Sequence, residues 1–519
     1  MPRTAVAPLR RNQIARAVMV PAPIGGWNAR DGLAAMPPED AVILQNWFPT
    51  PSGVELRQGS NTWATGLGNQ VNTLMPFNPQ SGNGKLFAAA GGSIFDVTNS
   101  GPVGAALVSG LSNANWSYEN FATPAGPFLL AVNGADGYYV YNGTSWQSVT
   151  ATSSPLSITG VTPSSLSFVQ AFASRVWFIQ GQSLNAYYLP VISVGGAASV
   201  FPMQQIFRRG GYLIAMGVWT VDGGYGMQDY LCFATSQGEI AIYGGTDPSQ
   251  ASTFQLVGVY QLGTPVSNRC FLKYGGDLLY LGKDGLGPIS RLLASSRVNT
   301  QVDLTCKIQG AVSAAATSYA ANFGWGMVLF PPANALVLNI PISVGSQQQY
   351  VMNTITGAWC NFTGWNANCW ERFNDQLYYG GNGVVVNAWT ANLDDNGSAI
   401  NAEGLQAFQT FGSMQQKQFT MARPLLQVSG VPGILLGLNT DFDFTAPVGN
   451  PSFSQPPYGL WDQGLWDQAI WGSSSTVLSN WEFASGVGTW GALHMKVSAL
   501  DCSVLWSATS YLMQDGGVL

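Results

Sequence analysis

His494 is the only histidine in a chain of 519 residues, and a lone imidazole narrows the chemistry open to this protein. Serine and cysteine nucleophile arrangements built on histidine would have to use that one ring. It lies in the mostly apolar run Ala492-Leu493-His494-Met495-Lys496, where a core or interface place is expected. Metal sites with several histidines are excluded. Cys232, Cys270, Cys306, Cys360, Cys369 and Cys502 include no C-x-x-C pair, the nearest two being nine apart, so buried thiols are expected rather than zinc or redox motifs. Neither a Walker loop nor a G-x-S-x-G elbow occurs.

Two segments imitate functional motifs. Asn392-Leu393-Asp394-Asp395-Asn396-Gly397-Ser398-Ala399-Ile400-Asn401-Ala402-Glu403 carries oxygen side chains at positions 1, 3 and 5, Gly at 6 and Glu at 12, the ligand order of a calcium loop. Position 1 is Asn, however, position 8 is Ala, and the flanks read as strands; a hairpin turn on Asp395-Asn396-Gly397 is the expected structure. Gly143, Ser145 and Trp146 fall at the Gly, Thr and Trp positions of the sialidase Asp-box, but Tyr139 and Tyr141 stand where its Ser and Asp belong. Two carboxylates can hydrolyse a glycoside without histidine, yet the 26 acidic residues are spread along the chain and no pair stands out. No enzymatic activity, catalytic residue, metal or cofactor is expected.

The elements that would position any site are short. Leu86–Ala90 turns at Gly91-Gly92 into Ile94–Val97, and Phe128–Val132 turns at Asn133-Gly134 into Tyr138–Tyr141, both reading as hairpins. Similar units stand at Val176–Ile179, Tyr230–Phe233, Leu278–Leu281 and Leu377–Tyr379, each followed by Gly. The turn glycines Gly134, Gly181, Gly238 and Gly285 are 47, 57 and 47 residues apart. That approaches the roughly 40–50 residues of one propeller blade, a sheet that buries both faces only by packing against its neighbours. The fold class expected is all-β: a β-propeller over residues 25–420 led by a short helix at Pro37-Pro38-Glu39-Asp40, then a smaller β domain over 421–519. Unrelated hairpins in a β-sandwich are the alternative.

Composition bounds the partners. Only 9% of the residues are charged, against 46% hydrophobic, with a net charge of −6. An ordinary domain carries roughly 25% charged residues, so this surface suits a subunit buried against neighbours. No Lys/Arg stripe for gripping nucleic acid is visible. No apolar stretch approaches the roughly 18 residues of a membrane span, and the N-terminus lacks a signal-peptide core, so a soluble chain made in the cytosol is expected. Two candidate interfaces stand out. Residues 1–24 form a basic arm with Arg3, Arg10, Arg11 and Arg16 and no acid before Asp31, suited to a neighbouring subunit or nucleic acid, or merely frayed. In the C-terminal domain, Trp461, Trp466 and Trp471 recur every five residues beside Asp and Gln, which fits a subunit interface, internal packing or sugar stacking.

A family resemblance rests on Ile24-Gly25-Gly26-Trp27-Asn28-Ala29-Arg30-Asp31, then Pro37 to Pro49 with its Asn46-Trp47-Phe48-Pro49 step, then Gly53-Val54-Glu55-Leu56-Arg57-Gln58-Gly59. This order resembles the N-terminal region of tail-nozzle proteins of short-tailed bacteriophages, the group of tail tubular protein B and the packaged-DNA stabilisation proteins. There an Asn-x-x-Pro step and a Gly-x-x-x-Arg-x-Gly strand lead into the first propeller blade. The strands from Phe323 to Gly357, the turn at Asp395 to Ile400 and the Val504-Leu505-Trp506 to Leu519 ending are similar to the same group. The resemblance implies a virion structural protein, assembled in the host cytoplasm into a tail-nozzle ring, a homohexamer, below the portal and adaptor. Its partners would be copies of itself, adaptor and portal-side proteins, tail fibre or needle proteins and passing duplex DNA held without sequence specificity, with no membrane. The alternative is a receptor- or carbohydrate-binding tail protein on a propeller scaffold.

Overall fold

The hairpins read from the sequence are the second and third strands of a series of antiparallel sheets. The computed structural model describes residues 15–222, 227–294, 303–449 and 476–515. In it Lys85–Ala90 pairs with Ser93–Asp96, Gly126–Val132 with Tyr138–Tyr141, Arg175–Gln180 with Asn185–Tyr188, and Met227–Thr235 with Glu239–Gly245. Asp277–Gly282 and Gly285–Pro288 follow, then Gln376–Gly380 and Asn382–Ala388. The aliphatic strand of each pair is buried on both faces, which is why those runs are continuous rather than alternating.

Each hairpin has a strand on its inner side. These inner strands are 71–77 of Ser60–Phe77, then Ser117–Thr123, Leu166–Phe172, Leu213–Asp222, Phe271–Tyr274, Gly326–Phe330 and Cys369–Phe373. They are neighbours in that order, and Cys369–Phe373 adjoins Ser60–Phe77, so among the described residues seven sheets close into a ring. The ring is sealed by the long strand Ser60–Phe77. Its first half pairs with Asn382–Ala388, Ser60 opposite Ala388, and its second half with Lys85–Ala90, Val71 opposite Ala90. An early segment thus completes the last sheet, leaving no open edge at the join.

The cores lie between successive sheets. Leu130, Val132, Tyr138 and Val140 meet Val169, Val176 and Phe178 in one. Trp177, fully buried, meets Phe233 and Phe254 in the next, stacked on Phe254 with centroids 5.5 Å apart. A blade of this kind has no core of its own, and the radial repeat supplies it.

A second compact unit is formed by residues 1–57, 358–360 and 397–519, the propeller unit comprising 58–357 and 361–396. One sheet of the second unit holds Val504–Asp515, paired with Arg16–Pro21, Lys417–Val428 and Gly53–Leu56, and Trp47–Thr50 beyond. The other holds Asp40–Gln45, Ile400–Gln406, Gly491–Ala499 and Gly433–Thr440. They pack face to face: Tyr511 Oη donates to Gln406 Oε1 at 2.6 Å and accepts from the Leu493 backbone N–H at 3.0 Å.

The units run across the expected limits at 24/25 and 420/421. The N-terminal segment pairs with the last strand, a long-range register that no local pattern announces. Residues 16–21 of the expected arm are an edge strand of this unit. The expected helix at Pro37-Pro38-Glu39-Asp40 is corrected: Asp40–Gln45 is a strand. Asp40 is fully buried and accepts from Asn28 Nδ2 at 2.7 Å, where a first-turn acid would face solvent, and Val42 and Ile43 favour extended backbone. Helix is confined, among the described residues, to Ile289–Ala294, Gln309–Tyr319 and short 3-10 turns.

Candidate functional site

The inner strands of the propeller surround a cavity of about 540 Å³ to which all seven contribute, from Thr73 and Tyr118 round to Met327 and Glu371. Inner strands must serve two environments, blade cores on one side and the channel on the other, so polar residues interrupt their apolar pattern. Ser117–Thr123, with sequence SYENFAT, is half-buried along nearly its whole length.

Arg269 crosses this channel. Its Nη2 donates to the Asn72 carbonyl at 2.9 Å and to Thr73 Oγ1 at 3.0 Å, on an inner strand three places away round the ring. The guanidinium carbon lies 5.5 Å from the Phe323 ring centroid, a cation–π contact. Thr73 is held in turn. Its hydroxyl donates to the Ala114 carbonyl at 2.8 Å and accepts from the Trp116 N–H at 3.0 Å as well as from Arg269, which uses one donor and two acceptor positions.

Tyr118 and Glu119 are successive on one strand and point to opposite faces. The Tyr118 hydroxyl donates to the Glu371 carboxyl, whose other oxygen accepts the Arg372 N–H at 3.1 Å. Glu119 accepts from Gln170 Nε2 at 3.2 Å on the next inner strand. Burial pushes Glu371 up to about 7, against the opposing pull of the Tyr118 hydrogen bond and of Arg269 and Arg372. Burial pushes Glu119 up to about 8. Tyr118 is raised first by burial and then by the Glu371 charge.

A pH effect follows. The native state keeps a proton on Glu119 that the unfolded chain, at its ordinary 4.5, has released, so unfolding free energy falls as pH rises from about 4.5 to about 8, by up to about 1.4 kcal/mol per pH unit and proton. Glu119→Gln is therefore expected to leave urea stability unchanged at pH 4 and raise it at pH 8. Identical gains at both pH values would show that the carboxyl is not held protonated.

Other residues singled out by sequence fall elsewhere. Arg3, Arg10, Arg11, Trp461, Trp466 and Trp471 lie outside the described residues. Arg16 pairs with Asp515 at 3.4 Å and donates to the Phe411 carbonyl at 3.0 Å. His494 is fully buried with Nε2 2.7 Å from Glu403 Oε1, and five of the six cysteines are buried, Cys306 partly so. The calcium-like segment has the turn expected: Asn396 and Gly397 take positive φ, and Asp395 Oδ1 accepts from Ser60 Oγ at 3.0 Å. Its last acid, Glu403, is on the strand Ile400–Gln406 beside His494. No group of three or more potential metal ligands occurs among the described residues. The Asp-box-like segment is a hairpin turn in which Asn142 Oδ1 accepts from the N–H groups of Thr144 and Ser145.

The channel residues Tyr118, Arg269 and Glu371, and Glu119 on the opposite face of its strand, belong to no motif in the sequence. The usable signal was a charged residue in the strand preceding a hairpin, as in Tyr118-Glu119 before Phe128 and Glu371-Arg372 before Leu377.

No protein-family model and no curated protein matches the chain. Solved structures with a similar arrangement include the β-propeller domain of Cps50 (Swd1) from Myceliophteria thermophila, 11% identical with TM-score 0.36, covering 59% of this chain and 94% of that one. Sqt1 from Saccharomyces cerevisiae is 11% identical with TM-score 0.37, covering 67% and 96%. BBS1N in complex with ARL6DN, in lead-soaked crystals, is 10% identical with TM-score 0.38, covering 64% and 98%. In the mercury-soaked crystals of that complex the chain spans 63% of the BBS1N chain, at 15% identity and TM-score 0.27. The likeness is one of propeller fold.

Proposed function

We propose that this chain is a non-enzymatic virion component, a subunit of the tail-nozzle ring of a short-tailed bacteriophage that retains the packaged genome and conducts it out on ejection. The observation that carries the reading is the physical role of the residues on which the family resemblance rests. Asn46 turns the chain at a positive φ of 57° between two strands, and buried Arg57 donates to its side chain. Gly59 packs against the Asp394 backbone where the propeller is sealed. The pattern is thus an architectural one, at the passage of the chain from one unit into the other.

Two features bear on how such a subunit would work. The propeller's own channel, about 540 Å³ and crossed by Arg269, has the volume of a small-molecule pocket. A conduit for duplex DNA would therefore run between copies in a closed ring. The outer strand Phe254–Gln261 carries no charge and exposes Leu256, Val257 and Val259, surface of the kind subunits cover. No helix among the described residues is long and apolar enough to cross a membrane.

The test is the copy number of this chain in purified virus particles, by quantitative mass spectrometry normalised to the portal protein. One sixfold ring per particle supports the nozzle; a larger multiple of three points to receptor-binding spikes; absence overturns the reading. The basic arm gives a second expectation. Arg3→Gln, Arg10→Gln and Arg11→Gln together should reduce incorporation into particles at least tenfold with unchanged melting, and normal incorporation would remove the arm from assembly. Arg16 is left intact because its strand belongs to the folded unit.

A further inference from the structure

We infer that the propeller channel is a binding site for a small organic acid, a molecule with one carboxylate or phosphate-like head and a compact apolar body. The cavity's volume of about 540 Å³ lies within the range of small-molecule sites, roughly 300–1,000 Å³. Its charge opposes that of the chain. The protein has net charge −6, yet Arg269, Lys273 and Arg372 line this cavity against a single carboxyl, Glu371. Burial holds that carboxyl at about 7, so it is neutral in half the molecules at that pH, further favouring an incoming anion.

Arg269 is anchored rather than floppy. Nη2 is committed to Asn72 and Thr73, and the guanidinium lies 5.5 Å from the Phe323 ring centroid. Nε and Nη1 make no hydrogen bond to any described residue, which leaves an oriented, prepaid donor edge for an oxyanion. Lys273 and Arg372 are exposed and add charge at the same cavity. The same lining includes apolar side chains beside these cations, among them Met216, Leu272, Met327 and Leu329. Cations for an acidic head and apolar side chains for a compact body are thus present in one cavity. This inference is independent of the nozzle reading, since a single subunit holds the whole site.

The test is isothermal titration calorimetry of the full chain with octanoate, octanol and inorganic phosphate as probes. Octanoate is expected to bind one equivalent, at least tenfold more tightly than octanol or phosphate. Lys273→Gln with Arg372→Gln, both exposed positions, should weaken octanoate at least tenfold and leave octanol unchanged. Met327→Trp, which narrows the cavity, should abolish binding with the far-ultraviolet spectrum retained. Absence of octanoate binding at millimolar concentration, equal binding of octanol, or indifference to both variants would overturn the site. Phosphate binding as tightly as octanoate would overturn the apolar half of it.

Discussion

Gly59→Ala is expected to destabilise the propeller by more than about 4 kcal/mol, a loss in the range that only a few mechanisms reach. A Cβ on Gly59 would stand 1.8 Å from the Asp394 carbonyl oxygen and 2.7 Å from the Asp394 nitrogen and carbonyl carbon, all backbone atoms that no rotamer change can remove. Nor can the two segments separate. The Gly59 N–H donates to the Asn392 carbonyl at 2.9 Å, the Thr390 N–H to the Gly59 carbonyl at 3.1 Å, and the Ser60 N–H to the Asp394 carbonyl at 3.0 Å. The next residue, Ser60, begins the strand that seals the ring against Asn382–Ala388. Hydrogen exchange should therefore show protection lost first in Ser60–Phe77 and Asn382–Ala388. Gly397→Ala is the control: its φ is +83° but nothing lies within 4 Å of the added Cβ, so backbone strain alone should cost about 1–2 kcal/mol. A Gly59→Ala chain as stable as that control would show that the closure tolerates the insertion and that the seal is not where the ring is held.

The hairpins were legible because two local signals coincide in each. An aliphatic run long enough to be buried on both faces is followed by a residue able to take positive φ, as Leu86–Ala90 is by Gly91 and Phe128–Val132 by Gly134. The inner strands lack the first signal, although Gly275 and Asn374 supply the second after two of them. Leu166–Phe172 is buried at every third residue, a spacing that resembles neither a half-buried strand nor a core strand, because one edge meets the channel. The site was hidden for the same reason: Arg269 meets Thr73, and Tyr118 meets Glu371, only after the ring closes. At Pro37-Pro38-Glu39-Asp40 local chemistry pointed the wrong way. Proline followed by acids is a good helix start, but Asp40 is needed inside, as the acceptor for Asn28, and the chain there extends to pair with Ile400–Gln406. The limits of the second unit were equally out of reach, since they depend on Arg16–Pro21 finding Val504–Asp515.

Arg57→Ala should cost about 1–3 kcal/mol, the range for leaving a buried acceptor unsatisfied, with the emptied side-chain volume adding to it. The side chain is only 2% exposed, and its Nε donates to Asn46 Oδ1 at 3.0 Å while its backbone N–H donates to the Asn46 carbonyl at 3.0 Å. Asn46 Nδ2 donates to the Asn401 carbonyl at 2.7 Å, so the amide is held on both sides. That hold matters because Asn46, at φ 57°, is the corner through which the chain leaves Asp40–Gln45 in one sheet and enters Trp47–Thr50 in the other. Asparagine is among the side chains that tolerate this region best. Asn46→Gly would keep the turn and delete the bonds, and it should cost less than Arg57→Ala, because no large cavity is left. The double variant then separates a brace from two independent losses. If Arg57 acts through Asn46, the two changes combine with a shortfall from additivity of about 1–3 kcal/mol, and hydrogen exchange rises in Trp47–Thr50 and Gly53–Leu56 before the propeller strands. Strict additivity would mean that Arg57 stabilises this unit independently of Asn46, and the spacing of Asn46 and Arg57, eleven residues apart, would lose its physical explanation.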